Sequence, residues 1–250
     1  MTTLDGSPAI VLVASHWLGA WAWDEVLAHL DSRRVRARAV TLPGLDPEDP
    51  ARSTRTLDDQ AAAIEDALTR LEGDGGRPAT LVAHSGANAP ASMVLDRHPA
   101  LVHRMVWIDS GPLAPGSAFA PDLPEGVADL PLPPFEVLAQ QASLEGLSEA
   151  ALERFRDRAV PEPGPVLREA VDLTNDARHA VPTTLVCCSM AGAQVLELAR
   201  AAHPMFAEVA RLEALDVVEL PTGHWPMWSR AEDLADVISR AASSTRAGGR

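Results

Sequence analysis

Thr80-Leu81-Val82-Ala83-His84-Ser85-Gly86-Ala87 is the stretch on which the reading of this chain turns. Its first four residues are a short apolar run of the kind that forms a buried strand. Small residues follow at once, and a helical pattern then continues to His98. A strand that turns directly into a helix brings backbone segments close together. The residues two before and two after the turning residue must therefore be small, and Ala83 and Ala87 are. A serine at that point is lifted above the sheet edge, at a helix N-terminus whose dipole favours developing negative charge. Ser85 is the candidate nucleophile, in a small-x-Ser-x-small turn with alanines where glycines are usual.

Outward from this turn the chain alternates between two periodicities. Ala9–Val13 and Ala39–Leu42 read as buried strands, and Asp24–Leu30 between them has helical spacing at Val26, Leu27 and Leu30. Leu57, Ala61, Ile64, Leu68 and Leu71 recur on one face of a helix over Thr56–Leu71, which Gly73-Asp74-Gly75-Gly76 stops. Met105–Ile108, Thr184–Cys188 and Val217–Leu220 are further strands, and a last helix spans Ala231–Arg240 before a small, polar tail to Arg250 that is expected to fray. Strands alternating with helices predict an α/β fold with a doubly wound, mostly parallel sheet. The rhythm breaks once. Prolines stand at 112, 115, 121, 124, 131, 133 and 134, and helical patterns follow over Phe135–Ala159 and Val166–Leu173. With no β-like segment there, 111–180 reads as a helical cap inserted into a core formed by 1–110 and 181–250.

Composition excludes several kinds of chemistry. At 250 residues, 46% hydrophobic and 22% charged, the chain has the make-up of one large globular domain. No apolar run approaches the ~20 residues of a membrane span, and Met1–Pro8 lacks a basic-then-apolar leader. A net charge of −14 repels nucleic acid and anionic membranes, so neither is an expected partner. Cys187 and Cys188 are adjacent, and strand neighbours point to opposite faces, which argues against a structural disulfide and for a cytoplasmic home. The chain contains no Lys and no Tyr. A Schiff-base lysine, a P-loop lysine and a tyrosine oxyanion donor are therefore all excluded. Acid, base and nucleophile must come from Ser, His, Asp, Glu or Cys.

A serine hydroxyl needs a base. His224 directly follows the last strand, in Leu220-Pro221-Thr222-Gly223-His224-Trp225-Pro226, where a loop can hold it over the sheet rim. His16, His84 and His224 do not make a metal trio, since no pair sits at i, i+4 and no carboxylate lies among them. No metal or other cofactor is expected.

The chain resembles the α/β-hydrolase superfamily over nearly its whole length. Leu12-Val13-Ala14-Ser15-His16-Trp17-Leu18-Gly19-Ala20-Trp21-Ala22-Trp23 is similar to that family's first strand and oxyanion loop, and its Gly-Ala-Trp-x-Trp part to the methylesterase and hydroxynitrile-lyase branch. Leu42-Pro43-Gly44-Leu45 and Val106-Trp107-Ile108-Asp109 match two further family segments. The resemblance implies an oxyanion hole made by the backbone N–H groups of His16 and Gly86. The family's His-Gly pair is Ala14-Ser15 here, a departure that can shift this loop. The His16 side chain either enters the pocket or faces solvent. The family often carries its acid after the strand matching Thr184–Cys188, but no carboxylate follows there until Glu197. Asp109, ending the preceding strand, is the preferred substitute; the alternative is that it only caps the turn Ser110-Gly111-Pro112. Most of the six Trp read as core, with Trp17 and Trp225 as candidate pocket walls.

These readings predict a serine hydrolase that cleaves a small ester, lactone or thioester through an acyl-enzyme, with Ser85 as nucleophile, His224 as base and Asp109 as acid. The alternatives are a lyase, isomerase or cyclase that uses Ser85 and His224 without an acyl intermediate, and a non-catalytic ligand-binding protein. The expected partner is a small-molecule substrate, with a homodimer left open.

Overall fold

Residues that alternate along each central strand divide between the two faces of one sheet, and this alternation builds both halves of the core. In the computed structural model, which describes residues 8–73 and 77–244, the strands are β1 (Ile10–Val13), β2 (Ala37–Val40), β3 (Ala79–His84), β4 (Val102–Ile108), β7 (Thr183–Cys187) and β8 (Leu215–Glu219). A separate short pair, β5 (Asp129–Leu130) and β6 (Glu162–Pro163), lies between them in the chain. Val11, Val13, Leu81, Ala83, Met105, Trp107, Leu185 and Cys187 bury against helices α2 (Leu57–Gly73), α3 (Asn88–Arg97) and α7 (Gly192–Arg200). Ile10, Leu12, Val82, Val106, Ile108 and Val186 face α1 (Asp24–Ser32) and α9 (Ala231–Ser243). Cys187 and Cys188 fall in opposite halves of the core, and both thiols are free.

The main sheet is entirely parallel, in the order β2-β1-β3-β4-β7-β8. The chain adds β2 on one side of β1 and then crosses over to place β3 on the other. Ligands of such sheets bind outside the strand C-termini at this switch point. His84 pairs with Ile108, and Ile108 with Val186, so Ser85 and Asp109 leave the sheet side by side.

Local chemistry sets the helix boundaries. Thr56 Oγ1 accepts from Asp59 N–H at 3.2 Å while Asp59 Oδ2 accepts from Thr56 N–H at 3.0 Å, a reciprocal box that starts α2. The expected apolar stripe of α2, from Leu57 to Leu71, is buried. Residues 74–76 of the glycine-rich stop and the tail 245–250 lie outside the described residues, as do residues 1–7 of the N-terminal segment.

The 111–180 segment differs in detail from its expected form. The pattern over Phe135–Ala159 resolves into α4 (Phe135–Leu138) and α5 (Glu149–Arg158), with Gly146 at φ +80° between them. Only α6 (Gly164–Arg168) of the expected Val166–Leu173 helix forms, because Val171 exchanges backbone hydrogen bonds with Gly116 and Ser117 at 2.8 and 2.9 Å. The segment also contains the antiparallel β5–β6 pair, whose two-residue strands are too short to leave a periodic signal. Arg52 fixes this pair by two bonds to the Asp129 carboxylate, at 3.0 and 2.8 Å, and a third to Pro161 O at 2.8 Å. The remaining helix, α8 (Pro226–Ser229), follows the His224 loop. Among the described residues no helix is long and apolar enough to cross a membrane.

Candidate active site

Ser85 sits at the turn between β3 and α3 with φ +49°, a left-handed conformation that is costly for any residue with a Cβ. The 3-10 turn Ser85–Ala87 leads straight into α3. This strained corner presents Ser85 Oγ to His224 Nε2 at 2.7 Å. His224 Nδ1 in turn lies 2.6 Å from Asp109 Oδ2. Three residues far apart in sequence thus form one continuous hydrogen-bonded chain.

Asp109 is also in the left-handed region, at φ +46°. Its Oδ1 accepts the backbone N–H groups of Cys188 and Ser189 at 3.1 and 2.9 Å, and its Oδ2 accepts the Ser189 hydroxyl at 2.6 Å. These bonds run to the end of β7 and to His224, not to the turn at 110–112. Burial opposes the charge on this carboxyl, but the bonds from His224 and Ser189 outweigh it and hold the pKa down at about 2. The carboxylate is ionised at neutral pH and fixes the ring with Nδ1 protonated, leaving Nε2 free to accept a proton from Ser85. Glu197 is exposed on α7.

His224 is held on every side. Its N–H donates to Ser143 O at 2.7 Å, and the preceding Gly223 N–H to Glu145 O at 3.1 Å. A Cβ at Gly223 would lie 2.4 Å from Glu145 O, so the loop demands glycine because of the close backbone approach. The His224 carbonyl accepts a 2.7 Å bond from His84 Nε2. His84 is completely buried; burial first, then the nearby His224, pushes its pKa down to about 3, so it is neutral and its Nε2 carries the proton. Sequence reasoning considered His84 only as a metal ligand and missed this contact. Its one signal was position, next to the turning serine.

On the other side of Ser85, the Gly86 N–H donates to Ser15 Oγ at 3.2 Å. Ser15, standing where the resemblance expects glycine, thus engages one of the two amides expected in the oxyanion hole. The His16 side chain is 8% exposed, which decides against the solvent-facing alternative. Its Nδ1 lies 3.2 Å from Glu162 Oε2, and a Cβ on Gly86 would lie 2.2 Å from its Nε2.

A cavity of about 980 Å³ opens over Ser85, Asp109 and His224. Its walls are mostly apolar, including Leu113, Phe119, Leu144, Met190, Met205 and Phe206, and no arginine lines it. Trp17 and Trp225, expected as pocket walls, are not among the lining residues. Trp17 is buried, with its Nε1 donating to Leu130 O at 3.0 Å, so it ties the first-strand loop to β5. Trp225 packs its ring on Phe155 and edge-on against His224, at 5.4 and 4.9 Å between centroids. Both indoles are occupied by packing. The Cys187 thiol borders the cavity, but burial and the charges of Glu219 and Asp109 push its pKa up to about 11, so it is a protonated thiol at neutral pH. Among the described residues no three His, Cys, Asp or Glu side chains converge as metal ligands.

The sequence model of the alpha/beta hydrolase family matches residues 10–237, and the chain belongs to that family. No curated protein matches it. Solved structures share the fold. An extracellular alpha/beta-hydrolase from a Paenibacillus species, described as homologous to tobacco salicylic acid binding protein 2, is 17% identical with a TM-score of 0.73, covering 95% of this chain and 100% of that one. A methylesterase from Arabidopsis is 17% identical with a TM-score of 0.69, covering 94% and 99%. A pyrethroid hydrolase from Sphingobium faniae is 20% identical with a TM-score of 0.66, covering 95% and 98%.

Proposed function

We propose that this member of the alpha/beta hydrolase family is a serine hydrolase that cleaves a small, uncharged ester, lactone or thioester through an acyl-enzyme on Ser85. The observation that carries this reading is the chain from Ser85 Oγ to His224 to Asp109, at 2.7 and 2.6 Å. Ser85 Oγ attacks the substrate carbonyl as His224 Nε2 takes its proton. Asp109 stabilises the imidazolium that forms. His224 then returns the proton to the leaving group, and water hydrolyses the acyl-enzyme by the same steps in reverse. The His16 and Gly86 backbone N–H groups would hold the oxyanion, which requires Gly86 to exchange Ser15 Oγ for the substrate oxygen. The apolar cavity without arginine favours a neutral substrate, and the chain's net charge of −14 disfavours an anionic one. In this reading 111–180 is a cap that sets which substrates enter, since Leu113, Phe119 and Leu144 of that segment line the cavity. The two free cysteines fit a cytoplasmic setting.

One observation favours a second reading. With Gly86 N–H donating to Ser15 Oγ, acid–base chemistry by Ser85 and His224 without an acyl intermediate, as in a lyase, isomerase or cyclase, needs no change at that amide. Fluorophosphonate labelling separates the two. The hydrolase reading expects prompt labelling of Ser85 in the wild type and none in Ser85→Ala; a folded wild-type protein that resists labelling supports the second.

A further inference from the structure

The two halves of the core continue above the sheet rim as two walls of the cavity over Ser85. Leu113, Met190, Val195 and Phe206 line it and pack against the α2–α3–α7 half. Ala142 and Leu144 line it from the other side and pack against the α1–α9 half. His224 belongs to this second wall: its N–H donates to Ser143 O at 2.7 Å, and its neighbour Trp225 is buried in the same half of the core. A leaving group must collect its proton from His224 Nε2, so the alcohol portion of an ester lies towards Ala142 and Leu144. The acyl portion then runs the other way, along the first wall.

That wall offers a hydrocarbon surface. Its side chains are aliphatic, thioether or aromatic. Three polar side chains of the cavity are engaged within the protein. Asn88 Nδ2 donates to Gly111 O at 3.2 Å, Gln140 Nε2 to Glu136 O at 3.3 Å, and Ser189 Oγ to Asp109 Oδ2 at 2.6 Å. The volume of about 980 Å³ stands at the upper end of the roughly 300–1,000 Å³ that encloses drug-sized ligands, and a short acyl group leaves most of it empty. Apolar surface also continues to the mouth. Of the three large hydrophobics exposed among the described residues, Met205 (66% exposed) and Phe119 (56%) both line this cavity. Apolar surface left in water at the rim of a cavity is what an apolar ligand covers.

We propose that the substrate is an ester or thioester of a neutral medium-chain acid, octanoyl rather than acetyl or butyryl in length. Its acyl chain lies along Leu113, Met190, Val195 and Phe206, with its end towards Met205 and Phe119. This rests on the acyl-enzyme reading and specifies the acyl group that Ser85 receives. Met190 and Met205 are specificity-determining residues: their unbranched thioethers adapt to the chain, so rates rise steadily with length. Each methylene buried on the wall raises kcat/KM by up to about fourfold.

The test uses the full chain and two series of substrates. In the first, p-nitrophenyl acetate, butyrate, hexanoate and octanoate share one leaving group and differ only in the acyl chain. In the second, ethyl, butyl and octyl acetate differ only in the alcohol. From butyrate to octanoate, kcat/KM is expected to rise at least tenfold, and the alcohol series should be the shallower. Met190→Trp, which fills the first wall, should lower the octanoate-to-butyrate ratio of kcat/KM at least tenfold, and Met205→Asp should also lower it. Leu144→Trp, on the opposite wall, should move that ratio less than Met190→Trp does. Because both esters meet the same protein sample, the ratio does not depend on how much of a variant folds. A flat or falling acyl series overturns the proposal. So does a steeper alcohol series, or an unchanged ratio in Met190→Trp. A folded wild type that resists fluorophosphonate labelling at Ser85 and hydrolyses none of these esters overturns the acyl-enzyme reading itself. That outcome is distinct from a labelled, active enzyme that is indifferent to acyl length.

Discussion

Replacing Asp109 by asparagine changes one atom, and the surrounding bonds dictate where that atom goes. Two backbone N–H groups, of Cys188 and Ser189, point at Oδ1, so the amide oxygen must occupy that position. The NH2 group is then forced into the Oδ2 position, facing His224 Nδ1 and the Ser189 hydroxyl. It can only donate, so Nδ1 must become the acceptor and the ring proton moves to Nε2. His224 then donates to Ser85 Oγ where it should accept from it. Holding the wrong tautomer costs on the order of 10⁴ in kcat, or ~5 kcal/mol of barrier. The stability cost is much smaller. With the Asp109 pKa at about 2 against an ordinary 3.8, the charge contributes no more than ~2.5 kcal/mol at neutral pH. Asp109→Asn should therefore retain its fold by circular dichroism and lose almost all turnover of p-nitrophenyl butyrate. A folded variant that loses less than tenfold in kcat would refute this account of the ring's tautomer and shift the acid role elsewhere.

Three other outcomes follow from the same geometry. The folded-state pKa of His84, about 3, is depressed below its ordinary 6.5, so its neutral burial stabilises the fold above pH 6.5 and that contribution is lost as pH falls towards 3. At pH 5 the loss is ~2 kcal/mol, and urea midpoints of His84→Gln against wild type should converge as the pH is lowered from 7 to 5; parallel curves would contradict it. Gly223→Ala should lower kcat by roughly 100-fold, because the new Cβ meets backbone atoms of Glu145 that cannot rotate away and His224 must move; unchanged kcat would show that the loop yields. Ser85→Gly should abolish turnover yet raise stability by roughly 1 kcal/mol, since glycine adopts φ +49° without a Cβ penalty; a lower thermal midpoint would count against stored strain at this corner.

The parts of the fold that periodicity governs were legible in the sequence. Strand residues such as Val11 and Leu81 on one face, and Leu12 and Val82 on the other, needed only the pleat to sort them. The turn at Ser85 was readable because small residues at 83 and 87 are a steric requirement. The proximity of Ser85 and Asp109 followed from their places at the ends of strands that prove adjacent. Contacts without a period were not legible. Glu162 lies in a two-residue strand between prolines, and nothing local marks it as the partner of His16 across the chain. Trp17, beside the expected oxyanion loop, and Trp225, beside His224, were misplaced because an indole in such a position fits either a wall or a core; the hydrogen bond of Trp17 to Leu130 and the packing of Trp225 on Phe155 depend on how 111–180 folds back. The helix expected to reach Leu173 was overruled by backbone pairing with 116–117, which is equally nonlocal.

The acyl-enzyme on Ser85 is most directly tested by intact-mass spectrometry of wild-type protein quenched in acid within the first turnovers of p-nitrophenyl butyrate. The account predicts a mass increase equal to one butyryl group, located on the peptide containing Ser85, absent from Ser85→Ala, and formed as fast as the initial burst of p-nitrophenol. Steady turnover with no burst and no adduct at any quench time would contradict it.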